Sequence, residues 1–263
     1  MPESQSHKPE PAAPGSSAPR PAHIGFRHFS TAEFLVALIL LLVAAPFFEK
    51  TVNGESIEHA LMTLVLVLGV FAVGRSRRTL VWAVVLVLPA VASRWMHHFW
   101  PELAPKEISL VAGLVFLAFL IGQFLRFILR APRVNAEVMY AGISVYLLLG
   151  LSWMLAYQFV WLWDPNDPAF AFSTGPATRQ TMNGFTAYYF SFITLTTVGY
   201  GDITPVSNVA RALAAMEAMT GTLYVAVLIS RLVALYSSEK LQSDEKQTRA
   251  DDNKLSTPDL EKE

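Results

Sequence analysis

The segment Thr196–Asp202 reads Thr-Thr-Val-Gly-Tyr-Gly-Asp, and its residue types suit the binding of a cation that has lost its water shell. Consecutive backbone carbonyls can replace that water when they all point to one side. An ordinary extended strand alternates its carbonyls, so some positions must adopt a left-handed backbone, which glycine does at little steric cost. Gly199 and Gly201 stand at alternate positions that meet this need, and Thr197 adds a hydroxyl oxygen at one end.

Other residues that could carry chemistry are sparse. The absence of cysteine excludes disulfides, thiolate metal sites and a cysteine nucleophile. His97 and His98 are adjacent and lie on different faces of a helix, without the spaced partners that a metal site needs. The sequence contains no phosphate-binding loop, nucleophile elbow or zinc signature. We therefore predict neither an enzyme nor a bound cofactor.

The charged residues are concentrated at the two ends of the chain. Residues 1–33 hold 6 of them and residues 237–263 hold 13, which leaves 22 for the 203 residues between. About one quarter of a soluble domain is charged, so the middle of the chain is typical of a membrane protein. The net charge of −1 and the lack of a basic block argue against nucleic-acid binding.

Six apolar runs, extended where necessary by uncharged neighbours, have lengths suited to membrane-spanning helices. They cover residues 34–48, 59–74, 79–93, 108–125, 138–163 and about 206–236. The first three fall short of the roughly 20 residues that a span needs, and they depend on snorkelling of charged residues at their ends. We predict an all-α membrane protein with six transmembrane helices.

The charges of the connections predict the orientation of these helices. The 1–2 connection is acidic on balance, and the 3–4 connection, residues 94–107, is mixed. The 2–3 and 4–5 connections are rich in arginine, with Arg75, Arg77, Arg78, Arg126, Arg130 and Arg133. The positive-inside rule places these two connections and both termini in the cytoplasm, for a protein of the plasma or inner membrane.

The terminal segments are polar and are predicted to lie outside the bilayer. Residues 1–30 are rich in proline, serine and alanine, which indicates a disordered cytoplasmic segment. The long polar leader disfavours the alternative of a secretory signal over residues 1–45. The tail, residues 237–263, carries 5 basic and 8 acidic residues, and we expect a solvated, partly helical extension of the sixth helix. It is too short for a nucleotide-binding regulatory domain.

A helix-length apolar stretch, residues 183–195, is too short to cross a membrane and leads directly into residues 196–202. This arrangement resembles the pore signature of potassium channels, whose Thr-Val-Gly-Tyr-Gly loop is the standard example of a carbonyl filter. The resemblance covers residues 136–236, and it implies a pore module with a re-entrant pore helix, a selectivity filter and K⁺ as the permeant ion. The four-helix region, residues 31–135, lies outside it.

The resemblance assigns roles to the residues of this module. Coordination of K⁺ falls to Thr197, Val198, Gly199, Tyr200 and Gly201. Support of the filter and outer mouth falls to Thr196, Asp202 and Tyr189, the last at a position where the family often has tryptophan. Because each chain supplies one filter segment and a ring of carbonyls needs four, we expect a homotetramer around a central pore.

The sixth helix carries the other candidate functional residues. Gly221 aligns with a glycine that the family uses as a gating hinge, and close helix packing is an equally good interpretation. The residues predicted to line the inner cavity are Thr222, Val225 and Ile229, which share one helix face. Arg211 and Arg231 are expected to anchor the helix at the membrane surfaces.

Glu217 is the most unusual residue of the sixth helix. An unpaired carboxylate at mid-membrane depth costs about 2.5 kcal/mol or more, so Glu217 must find partners. We predict that it lies behind the filter and bonds to pore-helix hydroxyls such as those of Ser191 or Thr194. A structural role and a pH-sensing role both remain open.

We expect the chain to form a potassium-selective channel that conducts passively, resembling six-helix bacterial potassium channels without a voltage sensor. The fourth apolar run has no Arg or Lys before Arg126, which disfavours voltage gating. A non-conducting modulatory subunit of a heteromeric channel is a second alternative. A secondary transporter is disfavoured because the filter segment occurs once, without a repeat.

Overall fold

The computed structural model describes residues 31–48, 54–74, 76–100, 102–103, 105–133, 135–163, 168–173, 181–182 and 184–256. The segment 1–30 that was predicted to be disordered, residue Asn183 and residues 257–263 lie outside this set. The helices within it are α1 Thr31–Phe48, α2 Gly54–Val73, α3 Arg77–Phe99, α4 Lys106–Arg130, α5 Ala136–Trp163, α6 Gly184–Leu195 and α7 Asn208–Ser256. Two short strands, β1 Phe170–Phe172 and β2 Ile203–Pro205, pair with each other.

Each of the six apolar runs coincides with a helix, and the largely helical fold agrees with the predicted class. Four helical stretches are long and apolar enough to cross a membrane: Arg77–Phe99, Lys106–Arg130, Ala136–Trp163 and Asn208–Ala234. The apolar parts of α1 and α2 are shorter, at Thr31–Ala44 and His59–Val73. Six complete spans therefore remain a prediction.

The predicted boundary of the third helix was wrong. Residues 94–107 were assigned to a connection, whereas α3 continues to Phe99. The extension is stabilised by packing against α2, where the indole Nε1 of Trp95 donates a hydrogen bond of 3.1 Å to the hydroxyl of Thr63. α4 likewise continues to Arg130, so that arginines assigned to the 4–5 connection stand on its last turns.

α5 lies at the centre of the fold, between the bundle of α1–α4 and the pair α6 and α7. It packs against α1 and α4 on one side and against α6 and α7 on the other. Val145 and Leu148 are completely buried in this helix. Close approach to α6 occurs at Gly150, where an added Cβ would lie 2.6 Å from the ring of Phe192.

α6 is short because the chain turns sharply after Leu195 and does not continue across the molecule. Its buried residues Ala187, Phe190 and Ser191 face the interior of the fold. α7 is continuous from Asn208 to Ser256, past the predicted end of its apolar part at residue 236. This fold places residues 196–202 between the end of α6 and the start of β2.

Candidate functional site

The amides at the start of the Thr196–Asp202 segment form hydrogen bonds with carbonyls at the end of α6. The amides of Val198 and Gly199 both donate to the carbonyl of Ile193, at 2.8 and 3.1 Å. The preceding amide, that of Thr197, donates to a carbonyl of α6 at 2.9 Å. These bonds satisfy carbonyls that a helix end leaves without intrahelical partners, and they fix the direction in which the segment leaves the helix.

The backbone of the segment alternates in handedness. Thr197, Gly199 and Gly201 have φ angles of 61°, 49° and 79°, all in the left-handed region. A residue of opposite handedness at every second position turns successive carbonyls towards a common side instead of alternating them. The glycines were predicted to do this, but Thr197 was not, because a β-branched residue rarely adopts positive φ. Such strain is typical of functional backbone.

Asp202 joins the end of the segment to its surroundings. The hydroxyl of Tyr189 on α6 donates to Asp202 Oδ2 at 2.8 Å, so the structure brings together two residues that the resemblance paired. The other carboxylate oxygen accepts the amide of Ile203 at 3.1 Å. The carbonyl of Asp202 accepts the amide of Ser173 at 2.8 Å. Side chain and backbone together fix this residue.

The two strands adjoin the Asp202 end of the segment, and no sequence pattern indicates them. β1 and β2 are antiparallel, with Phe172 opposite Ile203, and the amide of Val206 donates to the carbonyl of Ala169 at 2.9 Å. The ring of Phe170 in β1 packs edge-on against Phe190 of α6, with centroids 5.3 Å apart. Strands of three residues are too short to display an alternating pattern.

Glu217 is completely buried between α5, α6 and α7. Ser191 Oγ lies 2.6 Å from Glu217 Oε1, and the hydroxyl of Tyr157 on α5 donates to Oε2. The sequence offered Ser191 or Thr194 as partners, and the structure brings Ser191 to the carboxyl group. Sequence analysis did not identify Tyr157, because nothing in an apolar helix marks one tyrosine as the partner of a distant acid.

The number of donors and acceptors in this cluster favours a neutral Glu217. Ser191 Oγ also lies 2.7 Å from the carbonyl oxygen of Gly150, which can only accept. A serine hydroxyl has one proton and cannot donate fully to both neighbours. If Glu217 is protonated and donates to Ser191, both short contacts are satisfied. A neutral carboxyl group also avoids the cost of an ion at membrane depth.

We therefore predict that Glu217→Gln keeps nearly wild-type stability, because the amide retains one donor and one acceptor in the same shape. Glu217→Ala should lower the free energy of unfolding by about 2–5 kcal/mol, since it leaves a cavity and two hydroxyls without their partner. Thermal unfolding of the purified protein in detergent, followed by circular dichroism, measures both. If Gln destabilised the protein as strongly as Ala, the carboxyl group would be ionised.

Gly221 packs against the residue that precedes the segment. A Cβ at this position would lie 2.2 Å from the carbonyl oxygen of Leu195 and 3.1 Å from its carbonyl carbon. Both atoms belong to the backbone and cannot move aside by a change of rotamer. α7 continues through Gly221 without interruption. Of the two interpretations that the sequence left open, this geometry supports close packing.

The predicted cavity-lining residues lie on one exposed face of α7. Val225 is 39% exposed and Ile229 55% exposed, and Thr222 on the same face is also exposed. The side chains of Val198 and Tyr200 are exposed as well, by 53% and 72%. A single chain therefore leaves both the face of α7 and the side chains of the segment open to other molecules.

Arg211 and Arg231 make different contacts. Arg211 Nε donates to the carbonyl of Pro205 at 3.2 Å, beside β2. A terminal nitrogen of Arg231 donates to the carbonyl of Leu129 at 3.2 Å and to that of Ala131 at 3.4 Å, at the end of α4. Arg231 therefore links α7 to the four-helix bundle, which the sequence did not indicate.

The part of the chain that contains these features is similar to known ion channels. Residues 138–238 match the family profile described as "Ion channel". The chain is 34% identical over 149 residues to the "Voltage-gated potassium channel Kch" of Escherichia coli (strain K12), which covers 55% of this chain and 31% of that protein. It is 27% identical over 103 residues to the "Shaker-related potassium channel tsha2" of Oncorhynchus mykiss, which covers 39% and 19%. No solved structure is significantly similar to the chain.

The chain thus spans about a third of the length of one relative and about a fifth of the other. The matched region includes nearly all of α5, all of α6, the Thr196–Asp202 segment and the first part of α7. Both relatives are channels by name, and neither they nor the profile describe an enzyme. Residues 138–238 are therefore similar to an ion channel domain and to potassium channels, and the chain also has apolar helices able to span a membrane.

Proposed function

We propose that this chain is the subunit of a potassium-selective channel that conducts K⁺ passively through a filter built from residues 197–201. The observation that carries the proposal is the alternation of left-handed positions at Thr197, Gly199 and Gly201, directly after a short helix. Carbonyls turned to a common side, together with the Thr197 hydroxyl, replace the water shell of the ion. No cofactor is required besides the permeant ion.

The filter is complete only in a homotetramer. One chain has one such segment, so four copies around an axis are needed to surround an ion. The exposed side chains of Val198 and Tyr200 support this assembly, because neighbouring copies would bury them. α7 supports it too, because a far smaller share of its apolar residues than of those of α5 is buried within one chain. The remaining surface of α7 faces other copies, the cavity and lipid.

α6 acts as the pore helix in this assembly. Its C-terminal end leads into the filter, and the partial negative charge of a helix C-terminus favours a cation in the cavity below. Asp202 and Tyr189 hold the outer mouth, with Thr196 at the base of the filter. Thr222, Val225 and Ile229 line the cavity on the cytoplasmic side.

The membrane topology follows from the same proposal. Residues 136–236 form the pore module, and α1–α4 within residues 31–135 form a four-helix region. All six long helices cross the cell membrane, with both termini and the tail from residue 237 in the cytoplasm. The arginine-rich ends of α2–α3 and α4 then lie at the inner surface, as the positive-inside rule requires.

The four-helix region does not act as a classical voltage sensor, although one relative is named as voltage-gated. A sensor needs several charges within the membrane field, each contributing about 2.3 kcal/mol per 100 mV. Apart from Lys106 at its first position, the basic residues of α4 are Arg126 and Arg130, both on its last turns. We expect weak dependence on voltage. A steep rise of conductance on depolarisation that Arg126→Gln abolished would contradict this.

Flux into liposomes tests the proposal. The purified chain is reconstituted into liposomes loaded with K⁺ and suspended in Na⁺ medium, and the membrane potential is followed with a dye. A selective channel makes the interior negative, and the signal disappears when Na⁺ replaces K⁺ inside. Equal signals with both ions would contradict selectivity. No signal from a particle of four times 29.1 kDa would favour a non-conducting modulatory subunit.

The contact between Tyr189 and Asp202 makes a further prediction. Tyr189→Phe removes one hydrogen bond at the outer mouth, worth about 0.5–1.5 kcal/mol in each subunit. We expect shorter open periods and a lower melting temperature, with selectivity retained. The matched control is Tyr188→Phe, which removes the same hydroxyl from a ring that packs on Phe192. If both variants behaved alike, the bond to Asp202 would have no role in the filter.

A further inference from the structure

A cavity of about 800 Å³ lies where α4 ends and α5 begins, outside the pore module. Its lining comes from the start of α1, the turn between α2 and α3, the last turns of α4 and the start of α5. Three arginines reach it, at positions 126, 130 and 133. The filter, the inner helix face and the Glu217 cluster contribute no lining residue, so the cavity has no part in conduction as proposed above.

The polar part of the cavity lining suits an anionic group. Arg126, Arg130 and Arg133 bring three positive charges, and Ser76 and Thr79 bring hydroxyls. No Asp or Glu is among the residues that line this cavity. Guanidinium groups are always charged, bind phosphate through two parallel hydrogen bonds and are more weakly hydrated than ammonium groups. The ligand chemistry that these side chains favour is therefore a phosphate group.

Much of the remaining lining is apolar. It includes Val73, Phe124 and Phe127, and the first two are buried among the helices. A free phosphate ion has no apolar atoms to bury against such a surface. The glycerol and first acyl carbons of a lipid would bury apolar area against it. The cavity lining thus combines three basic side chains with apolar ones, as an amphiphilic ligand requires.

We propose that this cavity binds the phosphate headgroup of an anionic membrane lipid from the inner leaflet. The inference rests on the proposed function for one point, the placement of these helix ends at the cytoplasmic membrane surface. Basic sites between transmembrane helices on that side suit anionic headgroups, because charge attraction adds to the burial of apolar lipid atoms. The chain would then carry a lipid site between its four-helix bundle and its pore module.

The site also has a structural connection to the inner helix. Ala131 lines the cavity, and its carbonyl accepts a hydrogen bond from Arg231 of α7, as does that of Leu129. A lipid that orders the end of α4 therefore orders the carbonyls that hold α7. Lipid occupancy is expected to favour one position of the inner helix.

Calorimetric titration of the purified full-length chain in non-ionic detergent tests the site. The probe is dioctanoyl-phosphatidylglycerol, with dioctanoyl-phosphatidylcholine and glycerol 3-phosphate as comparisons. The test variant is Arg126→Gln with Arg130→Gln. The matched control is Arg77→Gln with Arg78→Gln, which removes two exposed charges on the neighbouring helix α3 that do not line the cavity. Arg133→Gln, outside the helices, serves if the double variant fails to fold.

We expect phosphatidylglycerol to bind wild type more tightly than phosphatidylcholine does, and to bind the test variant about tenfold or more weakly. The control variant should retain its affinity. Equally tight binding of glycerol 3-phosphate would overturn the lipid assignment and indicate a soluble phosphate ligand. Equal loss in both variants would overturn the site, leaving general attraction to surface charge. Because binding is measured without current, the result stands apart from that of the liposome assay.

Discussion

Gly199→Ala is expected to abolish potassium conduction while leaving the helices of the chain intact. Gly199 has a φ of 49°, where a Cβ crowds the following carbonyl and costs about 1–2 kcal/mol. In the proposed homotetramer four copies of this residue surround one pore, so the strain would arise four times. The strain is relieved when the residue leaves the left-handed region, which turns a carbonyl away from the axis. Potassium flux in liposomes measures the loss.

Gly122→Ala is the matched control for this variant. Gly122 lies in α4, and an added Cβ there would meet no atom within 4 Å. Alanine should stabilise that helix by up to about 1 kcal/mol and leave the flux unchanged. If Gly199→Ala conducted like wild type, the alternation of carbonyls would not be the basis of conduction.

Gly221→Ala is expected to destabilise the assembled channel and to impair conduction together. The added Cβ would lie 2.2 Å from the carbonyl oxygen of Leu195, and the backbone of α6 or α7 must shift to accept it. Overpacking of this kind costs about 1–3 kcal/mol in each subunit. The shift would act on the residue directly before the filter. The melting temperature of the tetramer and its K⁺ flux measure the two effects.

Gly142→Ala on α5 is the matched control for Gly221→Ala. It separates the packing role of Gly221 from a general effect of replacing a glycine at a contact with α7. An added Cβ on Gly142 would meet only the end of the Leu228 side chain, at 3.1 Å, and that side chain can move. A small change in stability is expected. If Gly221→Ala shortened channel openings but left the melting temperature unchanged, a hinge would be the correct interpretation.

The helices could be predicted because their main determinant, a long uncharged apolar run, is visible in the sequence. Their ends could not. α3 continues to Phe99 through polar and aromatic residues because Trp95 bonds to Thr63 on another helix. A contact between residues more than 30 positions apart leaves no local pattern. Hydropathy therefore located the helices and misplaced the boundary between α3 and the connection that follows.

The candidate site, like the helices, was predicted only in part. Glycine at alternate positions indicated where the backbone is left-handed. The acidic residue Glu217 in an apolar helix indicated that its carboxyl group must have hydrogen-bond partners. The left-handed Thr197, the pairing of β1 with β2, and the choice of Tyr157 as a partner of Glu217 all depend on tertiary contacts. The role of Gly221 was undecided in the sequence, because only the proximity of Leu195 distinguishes packing from bending.

The reversal potential of unitary currents separates a potassium channel from other membrane proteins with apolar helices. The purified chain is incorporated into a planar bilayer with K⁺ on one side and Na⁺ on the other, and the voltage is stepped. We predict unitary currents that reverse near the potassium equilibrium potential and that are absent with Gly199→Ala. Currents that reverse near zero, or a saturable flux without unitary events, would contradict the assignment of residues 197–201 as a potassium-selective filter.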